Sequence, residues 1–378
     1  MRQGLENALI SKTIVLARFA LAFVVFFISM ELCARIDDKI KYQAPLLGEY
    51  SPDRLREKDQ DGIRHNIPNS RFERWEINKF GFRGEAFAVE KPAGVKRVVC
   101  MGTSESFGLY EGAGKEWPSQ LAEMLSDKGK YQVINASVVG LPLKQFAPYM
   151  EKYVVRFQPD VVILYVNPYF YAQEKLAQKN GGDLEKTEPQ RRKVAQARPP
   201  EKFSMKPRVA NKMKLALKEV LPPSVVKKYQ FWSLSREISA IESEELKGKE
   251  PVDIVPERVL QLFKEDLIPL VSLLTNRNIQ VVLSSYPVLI SCENLEKHQE
   301  IFLDNRRFSI MLSLKGMIGV PKQFNLQIES VARELGTVFV DNAEGVPKKI
   351  EFFGDNVHYT NKGAREVAKN FENCLLEQ

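Results

Sequence analysis

Short apolar segments alternate with amphipathic helical segments through most of this 378-residue chain. Five of them, residues 95–101, 131–136, 160–166, 279–284 and 337–341, have the composition of buried strands. Apolar residues recur at helical spacing between or after them, for example at Trp117, Leu121 and Leu125. Strands that are apolar on both faces need helices on both sides of their sheet. The pattern therefore predicts an α/β fold, a doubly wound parallel five-stranded sheet.

An apolar segment near the N-terminus, residues 13–34, has about the length that a helix needs to cross a bilayer. Its charged residues Arg18 and Glu31 lie near its ends, where long side chains can reach the interface. No small-residue cleavage site follows, so we expect an uncleaved transmembrane signal anchor within residues 1–41. A buried or amphipathic helix is disfavoured because the segment is apolar on all sides.

Flanking positive charges do not orient this segment, because equal numbers of basic residues precede and follow its apolar core. Its place at the extreme N-terminus is typical of export signals, so we expect a single-pass membrane protein with its large domain outside the cytoplasm, in the periplasm. Residues 42–91 are polar and rich in turn residues, which indicates a stalk and a lead-in segment. The domain itself is expected at residues 92–378.

Charge is distributed unevenly along the chain. The formal net charge is +7, but residues 175–228 alone contain 15 basic and 5 acidic residues. A chain-wide nucleic-acid surface is therefore not expected. The hydrophobic share of 44% and the charged share of 27% are those of a globular protein and exclude a disordered chain.

Histidine and cysteine usage limits the available chemistry. The chain has three histidines, too few for a typical zinc site, and its cysteines are not closely paired. No phosphate-binding or dinucleotide-binding glycine motif is present, so no cofactor and no metal are expected. Cys33 lies in the apolar segment and Cys100 in a predicted strand, which leaves Cys292 and Cys374 as a candidate disulfide pair.

Most predicted strands end at a polar residue or a glycine, at the sheet edge where chemistry collects in such folds. Ser104 follows the first strand in a glycine-flanked turn, Gly140 follows the second, and Asn167 follows the third. Asp355 precedes His358 by three residues. In a tight turn this carboxylate can accept a hydrogen bond from Nδ1–H of the imidazole, which leaves Nε2 to take a proton from a serine.

This pattern resembles the SGNH or GDSL hydrolases, a family named for Ser, Gly, Asn and His in separate sequence blocks. Ser104, Gly140 and Asn167 match the first three blocks, and Asp355 with His358 match the D-x-x-H block. Residues 77–84 resemble a lead-in found in envelope-associated members. The resemblance implies a catalytic triad of Ser104, Asp355 and His358, and an oxyanion hole formed by Ser104, Gly140 and Asn167.

Two blocks depart from the family pattern. Thr103 stands where the first block has aspartate, and this affects the turn more than the chemistry. Tyr165 and Pro168 flank Asn167 where the family has glycine and aspartate, which changes the shape expected for the acyl pocket.

The resemblance implies a membrane-anchored serine esterase or acyltransferase that acts on ester groups, with O-acetyl groups of cell-envelope glycan as the expected substrate. Its partners would be an acylated small molecule or glycan and the membrane. The alternative is a catalytically degenerate member that binds glycan and scaffolds an envelope assembly.

The basic insertion at residues 175–228 lies between the third and fourth predicted strands. Its first part, to about Lys206, lacks apolar periodicity and is expected to be mobile, whereas residues 209–226 are expected to form a short helix on the domain. The insertion is either a solvated loop or a basic cover that attracts an anionic polymer or lipid head groups. In the second case, neutralising Arg191, Arg192 and Lys193 would weaken turnover of an acidic glycan.

Overall fold

The computed structural model describes residues 2–48, 50–177, 207–246 and 249–377. The chain divides into two compact units. The first unit is drawn from Met1–Pro52 and Pro199–Lys228, and the second from Asp53–Arg198 and Tyr229–Gln378. Most of the segment that the sequence marks as stalk and lead-in therefore lies in the same unit as the sheet. Of the part predicted to be mobile, residues 178–206, Arg191, Arg192 and Lys193 among them, lie outside the described ranges. Residues 175–177 are described and form the end of a helix, so the prediction is wrong for them.

The described residues contain two small antiparallel pairs and one larger parallel sheet. Their strands are β1 (Arg56–Lys58), β2 (Arg64–Asn66), β3 (Arg71–Phe72), β4 (Trp75–Glu76), β5 (Lys96–Gly102), β6 (Tyr131–Asn135), β7 (Val161–Tyr165), β8 (Gln280–Ser284) and β9 (Val338–Val340). Strands β5 to β9 correspond to the five predicted apolar segments.

The larger sheet has the strand order β6-β5-β7-β8-β9, and every neighbouring pair in it is parallel. Numbered along the chain from its first strand, this is the order 2-1-3-4-5 of flavodoxin-like doubly wound folds. All five residues of the central strand β7 are buried. The predicted fold class is therefore confirmed.

Helices of the second unit connect the strands of the sheet, and the first unit contains further helices. In chain order the helices are α1 (Arg2–Tyr42), α2 (Ser104–Phe107), α3 (Trp117–Leu125), α4 (Phe146–Tyr149), α5 (Pro168–Ala177), α6 (Arg208–Val220), α7 (Pro223–Glu245), α8 (Glu257–Thr275), α9 (Gln299–Arg306), α10 (Leu314–Glu334), α11 (Asn342–Gly345) and α12 (Asn361–Leu376). Helix α3 packs with α12, while α8 packs with α10 and α5. These two groups bury the apolar stripes that the helical spacing predicts.

The lead-in segment closes one edge of the sheet. The backbone N–H of Arg83 donates to the carbonyl of Asn135 at 3.1 Å, at the end of the edge strand β6. Phe82 and Ile63 are buried in the same core as the sheet residues. The segment around residues 78–84 thus satisfies backbone groups that an edge strand would otherwise expose.

The first unit combines the N-terminal helix with part of the basic insertion. Helix α6 packs against α1, and Lys212 forms ion pairs with Asp37 and with Asp38, the latter at 2.8 Å. The backbone N–H of Val209 donates to Glu31 at 2.9 Å. The helix expected at residues 209–226 therefore lies with the N-terminal helix and not in the sheet-containing unit, because acidic residues of α1 attract its basic side chains.

Helix α1 is long and apolar enough to cross a membrane. Its segment Thr13–Tyr42 has a mean hydropathy of 2.3 in the most apolar window, and none of that window is buried. Length and composition are those of a membrane span, and a signal sequence at this position would share them.

The four cysteines are all described, and all are free. Cys292 is exposed and Cys374 is partly buried. The candidate pair suggested by elimination is therefore not a disulfide in this structure.

Candidate active site

The predicted site residues lie at or beyond the carboxyl ends of the parallel strands. Ser104 begins α2 directly after β5, Gly140 lies in the loop after β6, and Asn167 follows β7. Asp355 and His358 lie in the loop between α11 and α12, after β9. Parallel strands place their carboxyl ends at one edge of the sheet, so this topology collects the four segments on that edge.

Two glycines permit the sharp turn that carries Ser104. A Cβ atom on Gly102 would lie 2.3 Å from the hydroxyl of Ser106, and one on Gly108 would lie 2.4 Å from Cβ of Glu116. Gly108 also has φ of +84°, which favours glycine. The buried guanidinium of Arg83 donates to the carbonyls of Phe107 and Gly108, so the lead-in segment holds the end of this turn.

Asp355 and His358 form the hydrogen bond that their spacing predicts. The Asp355 carboxylate lies 2.7 Å from Nδ1 of His358, and its other oxygen accepts the backbone N–H groups of Val357 and His358 at 2.8 Å each. Asn356, between them, is buried, and its side chain and backbone accept from Ile290 and Leu289. The imidazole is therefore oriented by the Asp355 carboxylate, and the loop that carries both residues is itself fixed by hydrogen bonds.

The carboxylate sets the protonation of the imidazole. Burial alone would lower the pKa of His358, but the hydrogen bond and charge of Asp355, with smaller contributions from Glu105 and Glu111, raise this pKa to about 9. Burial works in the opposite sense on Asp355, and its bonds to His358 outweigh it, so the pKa of this carboxyl is lowered. The two groups thus favour an imidazolium–carboxylate pair at neutral pH.

Nε2 of His358 is buried and has no hydrogen-bond partner among the described residues. The ring lies beside the turn that carries Ser104: its centroid is 5.4 Å from that of Tyr110, and the charge of Glu105 acts on it. The structure contains no hydrogen bond from the Ser104 hydroxyl to Nε2. Catalytic hydrogen bonds are often long without substrate and tighten when it binds.

Asn167 and Gly140 have defined backbone surroundings. The side-chain oxygen of Asn167 accepts the N–H of Phe170 at 2.9 Å, which caps the start of α5. Gly140 has φ of +70°, and a Cβ atom there would lie 2.8 Å from Nη1 of Arg64. Arg64 also donates to the carbonyl of Gly140. The backbone conformation at this position therefore favours glycine, and a Cβ atom there would also displace the end of the Arg64 side chain.

The buried carboxylate of Glu105 is the main feature of the site that the sequence reasoning missed. One of its oxygens accepts the side-chain amide of Asn167 and the hydroxyl of Tyr286, each at 2.5 Å. The other accepts the hydroxyl of Thr103 at 2.5 Å. An acidic residue directly after Ser104, in a turn between a buried strand and a helix, was the available signal.

A second buried carboxyl, Glu111, lies near the imidazole. Burial raises the pKa of Glu111 to about 8, so this group is largely protonated at neutral pH. One of its oxygens accepts the backbone N–H of Tyr110 at 3.0 Å. Sequence reasoning did not identify this residue either, because nothing in the local pattern indicates its burial.

The departures at the third block have a structural explanation. Tyr165 is fully buried, and its hydroxyl is hydrogen-bonded to that of Tyr359. Pro168 is the first residue of α5, where a missing N–H costs nothing. A tyrosine and a proline thus fit here because the neighbouring loop supplies a partner and the helix begins at this residue.

A narrow, mainly apolar pocket adjoins the site. Apart from Thr103 and Asn167, it is lined by Leu141, Leu143, Phe146, Val166, Phe170 and Tyr171. It has room for little more than a water-sized sphere. Within the described ranges no cluster of three or more His, Cys, Asp or Glu residues could hold a metal ion.

Comparison with solved structures gives matches that are described as GDSL-like lipases, acylhydrolases and acetyl xylan esterases. A GDSL-like lipase from Bacteroides thetaiotaomicron is 14% identical, with 75% of this chain and 88% of that chain covered and a TM-score of 0.37. A lipase/acylhydrolase from Enterococcus faecalis is 11% identical, with 75% and 96% covered and a TM-score of 0.41. An acetyl xylan esterase is 14% identical, with 74% of this chain and 99% of that chain covered and a TM-score of 0.41.

Comparisons with protein-family models and with curated proteins gave no match. The residues and the strand order of the chain itself are more informative. By these, the chain resembles the SGNH or GDSL hydrolases in its strand order and in the residues that follow its strands.

Proposed function

We propose that this chain is a serine esterase in which Ser104 is the nucleophile, His358 the general base and Asp355 the orienting carboxylate. The observation that supports this most directly is the 2.7 Å contact between Asp355 and Nδ1 of His358. It leaves Nε2 buried and unpartnered among the described residues, at the sheet edge that carries Ser104. An oriented base beside a serine is the arrangement that acyl transfer requires.

In the proposed reaction, neutral His358 accepts the Ser104 proton at Nε2 while the serine oxygen bonds to the ester carbonyl carbon. The carbonyl π electrons move to oxygen, which gives a tetrahedral oxyanion. The imidazolium then donates its proton to the departing alcohol, and the acyl group remains on Ser104. Water, or a sugar hydroxyl, attacks this acyl-enzyme with His358 again acting as base, and this step restores Ser104.

The oxyanion would be bound by the backbone N–H groups of Ser104 and Gly140 and by the side-chain amide of Asn167. Ser104 is the first residue of α2, where backbone N–H groups have no partner within the helix. Fixed donors of this kind stabilise charge as it develops, and the loss of one such donor lowers kcat by roughly 10²–10³-fold.

The neighbouring pocket favours a short acyl group. Its narrow apolar lining adjoins Thr103 and Asn167, so an acyl chain bound at the proposed oxyanion hole would extend into it. An acetyl group suits this space better than a long acyl chain. We propose an O-acetyl ester as substrate, with cell-envelope glycan as its carrier and either hydrolysis or transfer as the outcome.

We further propose that α1 is retained as a membrane anchor, with the second unit outside the cytoplasm. Glu31, Asp37 and Asp38 of α1 contact α6 through hydrogen bonds and ion pairs. Glu31 lies within the segment that cleavage near Ala34 would remove, so its bond with Val209 of α6 exists only while the helix is retained. This supports an anchor over a transient export signal.

One observation favours the alternative of a degenerate, glycan-binding protein. The Asn167 amide already donates to the carboxylate of Glu105, and Ser104 forms no hydrogen bond with His358 in this structure. A site locked in this state would bind a ligand without turning it over. The two proposals differ in whether ester is consumed.

The test is hydrolysis of short-chain and long-chain p-nitrophenyl esters by the full-length protein in detergent. We expect acetate to be cleaved faster than octanoate, with kcat reduced by several orders of magnitude in Ser104→Ala. Ser106→Ala is the matched control, because its hydroxyl is buried and has no partner among the described residues. Equal activity in Ser104→Ala and wild type would overturn the esterase proposal and leave the binding protein.

A further inference from the structure

Glu105 connects the carboxyl ends of three strands of the sheet. Thr103 follows β5, Asn167 follows β7, and Tyr286 follows β8. Each donates a side-chain hydrogen bond to the carboxylate at 2.5 Å. Glu105 itself is 1% exposed. A buried carboxylate is costly unless its oxygens are hydrogen-bonded, and this one has three neutral donors.

These bonds determine how the Asn167 amide can be oriented. Its oxygen accepts from Phe170 at 2.9 Å and its nitrogen donates to Glu105 at 2.5 Å. Rotation of the amide by 180° would place its nitrogen against an N–H donor and its oxygen against a carboxylate. The amide is therefore fixed in one orientation, with its second N–H proton not used by either bond.

We propose that Glu105 is a positioning residue that holds the Asn167 amide in the orientation in which its second N–H proton serves the oxyanion hole. The inference rests on the proposed function, because it gives Asn167 that task. Glu105 acts through Asn167 and does not touch the reacting atoms. A donor fixed before the reaction needs no reorientation when charge develops on the substrate.

The carboxylate also acts on the general base through its charge. Asp355, Glu105, Glu111 and Asp304 all interact electrostatically with His358, and the Tyr110 ring packs against it. Of these, Glu105 is the residue bonded to Asn167. Its two effects can be separated, because one depends on an acceptor oxygen and the other on a negative charge.

Two substitutions make that separation. In Glu105→Gln, the side-chain oxygen can still accept from Asn167 and Tyr286, while its amide donates to the Thr103 hydroxyl, which can accept. In Glu105→Leu, the acceptor is lost as well. We expect Glu105→Gln to keep at least about a third of the wild-type kcat and to shift the rise of kcat/KM with pH to lower pH.

We expect Glu105→Leu to lower kcat by roughly ten- to a hundredfold with little change in KM, since only the transition state uses the amide. In an Asn167→Ala background the same substitution should cost less than about threefold, because its target is gone. The proposal would be overturned if Glu105→Leu lowered kcat by the same factor in the Asn167→Ala background as in wild type. It would also be overturned if Glu105→Leu alone kept the wild-type kcat. A general packing defect would lower kcat in both backgrounds alike.

A second measurement does not depend on activity. In full-length protein with 15N-labelled asparagine, the side-chain amide of Asn167, assigned with Asn167→Ala, should show slow hydrogen exchange in wild type and in Glu105→Gln. Exchange should be at least tenfold faster in Glu105→Leu. An unchanged exchange rate would overturn the proposal even in an active enzyme. The expected change in a protein without esterase activity would support the positioning role and reject the proposed function instead.

Discussion

His358 must be neutral before it can accept a proton from Ser104, and its surroundings oppose this at neutral pH. Asp355 raises the pKa of His358 to about 9 against the effect of burial. The resting pair is thus imidazolium and carboxylate, and below pH 9 the fraction of neutral imidazole rises about tenfold for each unit by which the pH increases. This makes the pH profile a direct readout of the pair.

We expect kcat/KM for a short acyl ester to rise with a slope near one on logarithmic axes up to about pH 9 and to level off above it. The measurement is a stopped-time assay from pH 6 to 10, corrected for spontaneous hydrolysis. Asp355→Asn should move the rise to lower pH and lower the plateau, because the raising charge and the orienting acceptor are both lost. A profile already level at pH 7 would contradict this assignment of the base.

At the residue scale, the hydrogen bond between Asp355 and His358 was predictable because its partners are close in sequence. Asp355 and His358 are three residues apart, so one turn suffices to bring carboxylate and imidazole together. Glu105 was not identified, because its donors Asn167 and Tyr286 lie 62 and 181 residues away along the chain. No local pattern reports a partner at that distance.

At the scale of elements, the strands were predictable because a buried parallel strand is a continuous apolar segment. The helix α6 was also predicted, but its partner was not. Its contacts with α1 include ion pairs to Asp37 and Asp38 and a backbone hydrogen bond to Glu31. Amphipathic spacing shows that a helix has a face to bury and does not show which element buries it.

Lys212→Glu should separate α6 from α1. The change places a negative charge beside Asp37 and Asp38, which now bind the ammonium group of Lys212. We expect trypsin to cleave the full-length protein within residues 207–228 severalfold faster than in wild type, monitored by mass spectrometry. The control is Lys214→Glu, which removes one exposed lysine of the same helix. Equal rates in the two variants would contradict the ion-pair account.

The turn after β6 favours glycine at position 140. With φ of +70° and Arg64 at 2.8 Å from a would-be Cβ atom, Gly140→Ala should destabilise the fold by about 1–2 kcal/mol. Chemical unfolding measures this. Gly319→Ala is the control, since it lies inside α10 with nothing within 4 Å of a Cβ atom, and it should be neutral or stabilising. A stabilised Gly140→Ala would contradict the described turn.

At the scale of the whole chain, a helix that could span a membrane precedes the unit that holds the proposed active site. The 30-residue segment Thr13–Tyr42 is long and apolar enough to span a bilayer, and its most apolar window is exposed. We expect the protein to stay in the membrane fraction after carbonate extraction. Removal of residues 1–41 should release a soluble protein with unchanged kcat on a small ester, because the proposed site residues all lie in the second unit. A mature N-terminus at or after Ala34 would show that the helix is cleaved.

The central claim is that Ser104 is a nucleophile activated by His358, and covalent labelling tests it most directly. The full-length protein is incubated at pH 9 with a serine-directed fluorophosphonate, and the labelled peptide is identified by mass spectrometry. We predict about one label per chain on Ser104, loss of labelling in Ser104→Ala and His358→Ala, and normal labelling in Ser106→Ala. No label on Ser104, or equal labelling in His358→Ala, would contradict the account.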